Sequence, residues 1–134
     1  NGDRLPGVSQ NQLTVALDLA QPLGTKSLSW HADASYRSSF TTNINDLAYS
    51  AHDGAIIRDA RRANYRVLDG FALINLAVTL QATDNLRARL YVNNVTNEAG
   101  VTAQTIRYNA ADHNNFEYLS RPRTIGLALT YAVR

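Results

Sequence analysis

Three residue types known from hydrolase active sites stand at alternate positions of one short segment: Ser29, His31 and Asp33. A catalytic Ser-His-Asp relay requires each side chain to hydrogen-bond to the next. In an extended strand, residues two positions apart are separated by about 7 Å, which is too far for that relay. As metal ligands they offer only a His-x-Asp pair, fewer than a zinc site uses. We therefore predict that the chain is not an enzyme, that it holds no metal and no cofactor, and that these residues form a polar row.

The polar row depends on a strict alternation of apolar and polar residues, which is the period-two pattern of a β-strand. The last segment shows it most clearly, because from Ile125 to Val133 one parity is apolar and the other is small or polar. Four further segments repeat the alternation, and no stretch favours a helix. The predicted fold is all-β, an antiparallel up-and-down meander. Its five strands are predicted at about residues 12–22, 28–42, 66–81, 86–96 and 122–133.

The connections between these strands alternate in length. Short turns follow the first and third strands, whereas residues 43–65 and 97–121 form long polar connections that we predict to be loops. Long loops without structure are uncommon in compact domains. Short turns alternating with long loops are typical of an outer-membrane β-barrel, whose apolar faces point into lipid. The alternative is a soluble antiparallel β-sandwich, a binding module with long recognition loops, in which the same faces would form the core.

Composition excludes several classes of protein. Thirteen Lys and Arg against 11 Asp and Glu give a net charge of +2, too balanced to indicate nucleic-acid binding. With no Cys, the chain has neither a disulfide framework nor a thiolate metal site. No apolar run approaches the ~20 residues of a membrane-spanning helix. The absence of Met leads us to expect that the chain is a piece of a longer protein.

Aromatic residues are spaced as a membrane strand would require. A tilted strand needs roughly ten residues to cross the ~25 Å apolar band of a barrel, and aromatic girdles mark both of its ends. Phe40 follows Trp30 by ten positions, with the same parity. We predict that Trp30, Phe40 and Tyr131 are girdle residues, although Trp and Phe on an apolar face are equally compatible with an ordinary core.

Four stretches carry a resemblance to a known family. They are RLPGV at residues 4–8, YRVLDGFALINLAVTL at 65–80, LRARLYVNNVTNE at 86–98 and PRTIGLALTYAV at 122–133. In order and spacing they resemble the C-terminal end of a TonB-dependent receptor, an active transporter of the Gram-negative outer membrane, and the resemblance covers essentially the whole chain. Two positions depart from the family pattern: Thr96 replaces an aromatic residue, and Arg134 stands where the family ends on an aromatic residue.

The resemblance implies a 22-stranded barrel plugged by an N-terminal domain, of which this chain would supply the last five strands. It implies contacts with outer-membrane lipid and lipopolysaccharide, with the upstream barrel and plug, and with the TonB complex through regions absent here. The transported solute would be a siderophore or another scarce small molecule. Polar-face residues would line the lumen, with Asp18 or Asp33 neutralising the arginines. The lumen-facing residues would be His31, Asp33, Arg37, Arg87 and Arg89.

Ligand-binding residues are expected in the long loops. Arginine forks beside aromatic rings can hold an anionic siderophore or stack on sugars. They can equally meet lipopolysaccharide phosphates or remain solvated. Deleting residues 55–63 is expected to impair ligand binding more than assembly. The candidate residues are Arg58, Arg61, Arg62, Tyr65, Arg107, Tyr108 and His113.

Further expectations concern strand facing and edges. A slip of one residue in strand pairing would turn a whole strand over, so the apolar parities should share one side of the sheet. Both long connections should leave from the same end. Five strands cannot close a barrel, so the isolated chain should self-associate or curl until Trp30 is buried. A third possibility, an outer-membrane enzyme or autotransporter barrel, lacks a converging catalytic group. The residues predicted to share a side are Leu17, Ala34, Ile74, Leu90 and Leu127.

Overall fold

The computed structural model describes residues 5–42, 66–109 and 112–133. In this part of the chain every regular element is a β-strand, and none is a helix long and apolar enough to cross a membrane. The strands are β1 (Gln12–Leu23), β2 (Lys26–Arg37), β3 (Phe40–Thr41), β4 (Val67–Leu68), β5 (Phe71–Gln81), β6 (Leu86–Asn93), β7 (Val101–Asn109), β8 (Asp112–Leu119) and β9 (Thr124–Tyr131).

Five of these strands form one sheet in the order β1-β2-β5-β6-β9, so neighbours in the sheet follow one another along the chain. β5 pairs with β6 and β6 with β9, both antiparallel. β2 also runs antiparallel to β5, because Asp33 contacts Asn75 while Arg37, further along β2, approaches Gly70, before β5. The predicted all-β, antiparallel meander is therefore confirmed, and the strand ends that lead into the two long connections lie at the same edge of the sheet.

The two short turns have local causes. β1 and β2 are joined by Gly24 and Thr25, and Gly24 has a φ of 65°, a left-handed conformation that glycine adopts without steric cost. Between β5 and β6, the Thr83 hydroxyl accepts hydrogen bonds from the backbone N–H groups of Asn85 and Leu86. Threonine side chains commonly stabilise turns in this way. These turns set the register of the sheet on both sides of β2 and β5.

Two predicted strands are each divided in two. The predicted strand 28–42 breaks after Arg37, because Ser38 donates its N–H to the carbonyl of Asn11 and its hydroxyl accepts the Asn11 N–H. The predicted strand 66–81 breaks at Gly70, where an added Cβ would lie 2.6 Å from the Arg37 carbonyl oxygen. The predicted strand 86–96 ends at Asn93, since Asn94 and Asn97 have positive φ.

The prediction of a long loop over residues 97–121 was wrong. This segment contains β7 and β8, which pair antiparallel from Val101 opposite Leu119 to Asn109 opposite Asp112. A signal was present, because VTAQTIRYN is rich in β-branched and aromatic residues, which favour strands. The other long loop, residues 43–65, lies outside the described residues.

The chain divides into two compact units. The sheet unit contains nearly all of the five-stranded sheet, and the hairpin unit contains the β3–β4 and β7–β8 pairs. The sheet unit comprises Leu13–Tyr36, Ala72–Ala99 and Arg121–Arg134, and the hairpin unit comprises Asn1–Gln12, Arg37–Phe71 and Gly100–Ser120.

The hairpin unit buries apolar side chains. Phe40 is only 3% exposed, and Leu68, its partner across the β3–β4 pair, is also buried. The Arg37 guanidinium stacks 3.9 Å from the centre of the Phe40 ring, and its Nε donates to the Ser9 hydroxyl at 3.2 Å. The prediction that Phe40 is an exposed girdle residue was therefore wrong, because the break after Arg37 removes Phe40 from the face that carries Trp30.

Candidate functional site: a sheet with two unlike faces

The sheet has one continuous apolar face. Across β5, β6 and β9, Val78 lies opposite Leu90, and Leu90 lies opposite Leu127. Residues directly opposite one another in a sheet point to the same side, so these three strands share their apolar parity. We define the apolar face as the residues that share parity with Leu17, Ala34, Ile74, Leu90 and Leu127 in the five strands.

Contacts on the opposite side of the sheet extend this face to β1 and β2. His31 contacts Asp18 of β1, and Asp33 accepts a hydrogen bond from Asn75 of β5. Because these polar side chains meet on one side, their neighbours of the other parity must lie on the other side. The prediction that Leu17, Ala34, Ile74, Leu90 and Leu127 share one side is confirmed.

The apolar face is open. Trp30 is 49% exposed, Leu127 68% and Leu129 70%. Tyr131 also lies there and is exposed at the end of β9. In the single chain the sheet therefore has not curled around an apolar core with Trp30 inside, as one of two expected outcomes required. Self-association, and a girdle role for Trp30 and Tyr131, stay predictions.

The other side of the sheet, the polar face, carries a chain of hydrogen bonds. His31 Nδ1 lies 2.7 Å from Asp18 Oδ1, and His31 Nε2 lies 3.3 Å from Asp33 Oδ1. Asp33 Oδ2 accepts from Asn75 Nδ2 at 2.8 Å, and Asn75 Oδ1 accepts the backbone N–H of Asn94 at 2.9 Å. The chain therefore links β1, β2 and β5 to the end of β6.

The expectation that His31 and Asp33 are too far apart to interact was wrong. Their backbone spacing is that of a strand, but the side chains lean together until Nε2 and Oδ1 lie 3.3 Å apart. Both histidine nitrogens face carboxylate oxygens, which can only accept hydrogen bonds. Among the hydrogen bonds of the described residues, none joins Ser29 to His31, so the polar face presents a positioned histidine without an attacking hydroxyl.

The arginines of this region are held by neutral groups. Arg87 Nε donates to Gln81 Oε1 at 2.9 Å, and Arg37 Nε bonds to the Ser9 hydroxyl. Arg89 lies on the polar face opposite Thr79 and Ala128. The prediction that Asp18 or Asp33 neutralises them was wrong, because these carboxylates contact His31 and Asn75. Across the part of the chain that the structure describes, no group of three or more acidic or histidine residues could hold a metal ion.

Asn94 is a key residue that the sequence analysis did not single out as a site. It is 3% exposed, with a φ of 53°. Its Nδ2 donates to the carbonyls of Glu98 and Arg121, both at 2.8 Å, and its Oδ1 accepts the Glu98 N–H. Asn97 Oδ1 accepts the Arg123 N–H. The Asn-Val-Thr-Asn motif thus fastens the end of β6 to the entry of β9. Asparagine tolerates positive φ better than other non-glycine residues, which is the available sequence signal.

Small residues on the polar side of β9 have a structural use. Gly126 lies opposite Tyr91, and a Cβ at Gly126 would collide with the Tyr91 ring. The ring therefore lies directly over the glycine. The sequence left two explanations for the small residues of β9, space for a plug and sheet curvature. At Gly126 the contact with Tyr91 supplies another.

The proposed ligand-binding residues are not brought together by anything in the described structure. Arg58, Arg61, Arg62 and Tyr65 lie outside the described residues. The backbones of Tyr108 and His113 are paired across β7 and β8, and Arg107 is paired with Asn114. Their side chains are also outside the described part. Comparison of the chain with family models, with characterised proteins and with solved structures returned no match.

Proposed function

We propose that this chain forms part of the wall of an outer-membrane β-barrel, in a TonB-dependent receptor that takes up a siderophore or another scarce solute. One observation carries the proposal. A five-stranded antiparallel sheet has an uncovered apolar face, while its other face holds His31 between two carboxylates. That is the alternation of a membrane barrel, apolar toward lipid and polar toward the lumen.

The energetics of exposure favour lipid over water. Burying one Leu or Val side chain is worth about 1.5–3 kcal/mol. Soluble monomers rarely leave more than a few hundred square ångströms of contiguous apolar surface exposed. Here that face runs from Leu17 on β1 to Leu127 on β9, across all five strands. A bilayer would cover all of it without any further protein layer.

Strand lengths also support a membrane wall. A transmembrane β-strand has roughly 9–11 residues. β1 and β2 have 12 residues each, β5 has 11, and β6 and β9 have 8 each. Under the proposal the remaining strands of a 22-stranded barrel, its plug and the contact with the TonB complex belong to other parts of the receptor, and lipopolysaccharide surrounds the outer leaflet.

A soluble β-sandwich binding module is the competing proposal. It needs a second layer over the apolar face, and among the described residues Leu127 and Leu129 remain about two-thirds exposed. The cover would have to come from another molecule. This alternative gives a different result in the labelling experiment below.

Cysteine labelling tests the proposed facing, since the natural chain has no Cys. Leu127→Cys and Ala128→Cys place a thiol on opposite faces of β9, and both positions are exposed. In native outer membranes we expect a water-soluble maleimide to label Ala128→Cys at least tenfold faster than Leu127→Cys. A lipid-soluble maleimide should label Leu127→Cys. Equal labelling of both by the water-soluble reagent, with the protein absent from the membrane fraction, would contradict the proposal.

Solute transport needs a separate test. We expect deletion of residues 55–63 to reduce binding of ferric siderophores at least tenfold while the amount of protein in the outer membrane stays within twofold. Residues 82–85, the turn between β5 and β6, offer a control, because their replacement by Asn-Gly should leave solute binding unchanged. Unchanged siderophore binding in the deletion would remove that loop from the solute site and leave the membrane assignment standing.

A further inference from the structure

A groove of about 380 Å³ crosses the apolar face. It is lined there by paired residues from adjoining strands: Leu17 and Leu19 of β1, Trp30 and Ala32 of β2, Leu76 and Val78 of β5. Its volume lies near the lower end of the range for small-molecule sites. The groove belongs entirely to the sheet unit.

Ala32 accounts for the depression. On the flanking strands, which pair with β2 on either side, the groove is lined by leucine and valine side chains, whereas Ala32 has only a methyl group. The larger neighbours therefore form walls around a shallow floor. A bulky side chain at position 32 would fill this space, while Ala34, also on the apolar face of β2, does not line the groove.

We propose that this groove binds one acyl chain of an outer-membrane lipid, which deepens the proposed function and rests on it. Charge complementarity selects an uncharged occupant. In the five strands the only charged residue of the apolar parity is Lys26, at the first position of β2. A protein partner would be expected to meet polar groups at the rim, with about one hydrogen bond per 100–200 Å² of interface.

Depth within the wall identifies the occupant further. The groove residues Leu17 and Leu19 lie in the middle of the strand Gln12–Leu23, and Leu76 and Val78 lie in the middle of Phe71–Gln81. In a sheet that spans the bilayer, the middle of the strands lies at the centre of the hydrocarbon layer. Headgroups and water are excluded from that depth. A lipid acyl chain is the ligand chemistry available there.

The chain carries its own probe for this site, because Trp30 is its single tryptophan and lines the groove. The experiment reconstitutes the purified protein in phosphatidylcholine nanodiscs whose acyl chains carry bromine near their middle. Bromine quenches tryptophan fluorescence on contact. We compare the natural protein with Ala32→Phe, which fills the groove, and with Ala34→Phe, a matched control outside it. Circular dichroism and heat-modifiable migration establish that each variant is folded.

The expected result is strong quenching of the natural protein and of Ala34→Phe, with at least a twofold smaller quenching constant in Ala32→Phe. If Ala32→Phe does not fold, Leu76→Ala replaces it, and this enlarged groove should raise the quenching constant above that of the natural protein. Equal quenching in all folded variants would overturn the groove as a binding site but leave the membrane wall intact. Absence of quenching in every form would overturn both, because Trp30 would then not face lipid.

Discussion

The two units of this chain treat apolar side chains in opposite ways. In the hairpin unit, Phe40 and Leu68 are buried and Arg37 stacks on the Phe40 ring. In the sheet unit, Leu127 stands open on a broad apolar face, while the polar Asn94 is buried with its side-chain hydrogen bonds satisfied. The hairpin unit is thus organised as a protein in water is, and the sheet unit is organised for a surrounding that is not water.

The difference shows that period-two alternation identifies a strand with two unlike sides but does not identify the solvent on either side. Phe40 and Trp30 have the same parity in the sequence. The first is buried under an arginine and the second is half exposed, because a break in the backbone separates them. Where a strand is interrupted therefore matters as much as which residues alternate.

The largest expected effect is at the buried aromatic residue of the hairpin unit. Phe40→Ala removes a ring that is 3% exposed, and we expect it to lower the free energy of unfolding by about 3–5 kcal/mol, as large-to-small core substitutions do. Phe116→Ala, at a residue 50% exposed in the same unit, should cost under about 1 kcal/mol. Urea titration of the protein in micelles measures both. Equal losses would mean that the hairpin unit has no such core.

Next in size is the buried polar residue of the sheet unit. Asn94→Ala leaves the carbonyls of Glu98 and Arg121 without their side-chain donor, and we expect a loss of about 2–4 kcal/mol, since each unpaired buried group costs about 1–3 kcal/mol. The neighbouring Asn93 is exposed, so Asn93→Ala should change stability by less than about 0.5 kcal/mol. If the two variants unfold at the same urea concentration, the Asn94 hydrogen bonds do not stabilise the sheet unit.

The apolar face is tested by a charge placed at its middle. We expect Leu17→Arg to cost about 2–3 kcal/mol in vesicles, because an arginine on the lipid side near the bilayer midplane is penalised by that order. Ala16→Arg, on the polar face beside Asp18, should cost under about 1 kcal/mol. Unfolding by guanidinium from lipid vesicles measures the difference. Similar values for both variants would place both faces in water and remove the contrast between the two units.

The smallest effects compare two glycines under aromatic rings. A Cβ at Gly100 would collide with Cγ of Phe71, whereas at Gly126 the nearest atoms are at the far end of Tyr91. The end of a tyrosine can swing aside more readily than the root of a phenylalanine. We expect Gly100→Ala to cost about 1–2 kcal/mol by overpacking and Gly126→Ala about 0.5–1 kcal/mol by rotamer strain. Tyr91→Leu should abolish the second cost in a double-mutant cycle, and an unchanged cost would show that the ring is not its cause.

Much of the sheet was predictable because each strand carries its own signal. Alternation located all five strands of the sheet and the parity of Leu17, Ile74 and Leu127. The β7–β8 hairpin was missed because its residues are polar, although Thr, Val and Ile favour strands. The partners of Asp18 and Asp33 were also missed, since they depend on which side chains meet across β1, β2 and β5.

The sequence by itself determined which residues form strands and which side chains share a face, because both follow from local periodicity along the chain. Only the tertiary structure decided that Asp18 and Asp33 bracket His31, that Asn94 fastens Arg121 to the end of β6, and that Ala32 forms the floor of a groove. These features join residues up to 59 positions apart, from Leu17 to Leu76 in the groove. Their positions depend on strand order and register, which no single segment of the chain encodes.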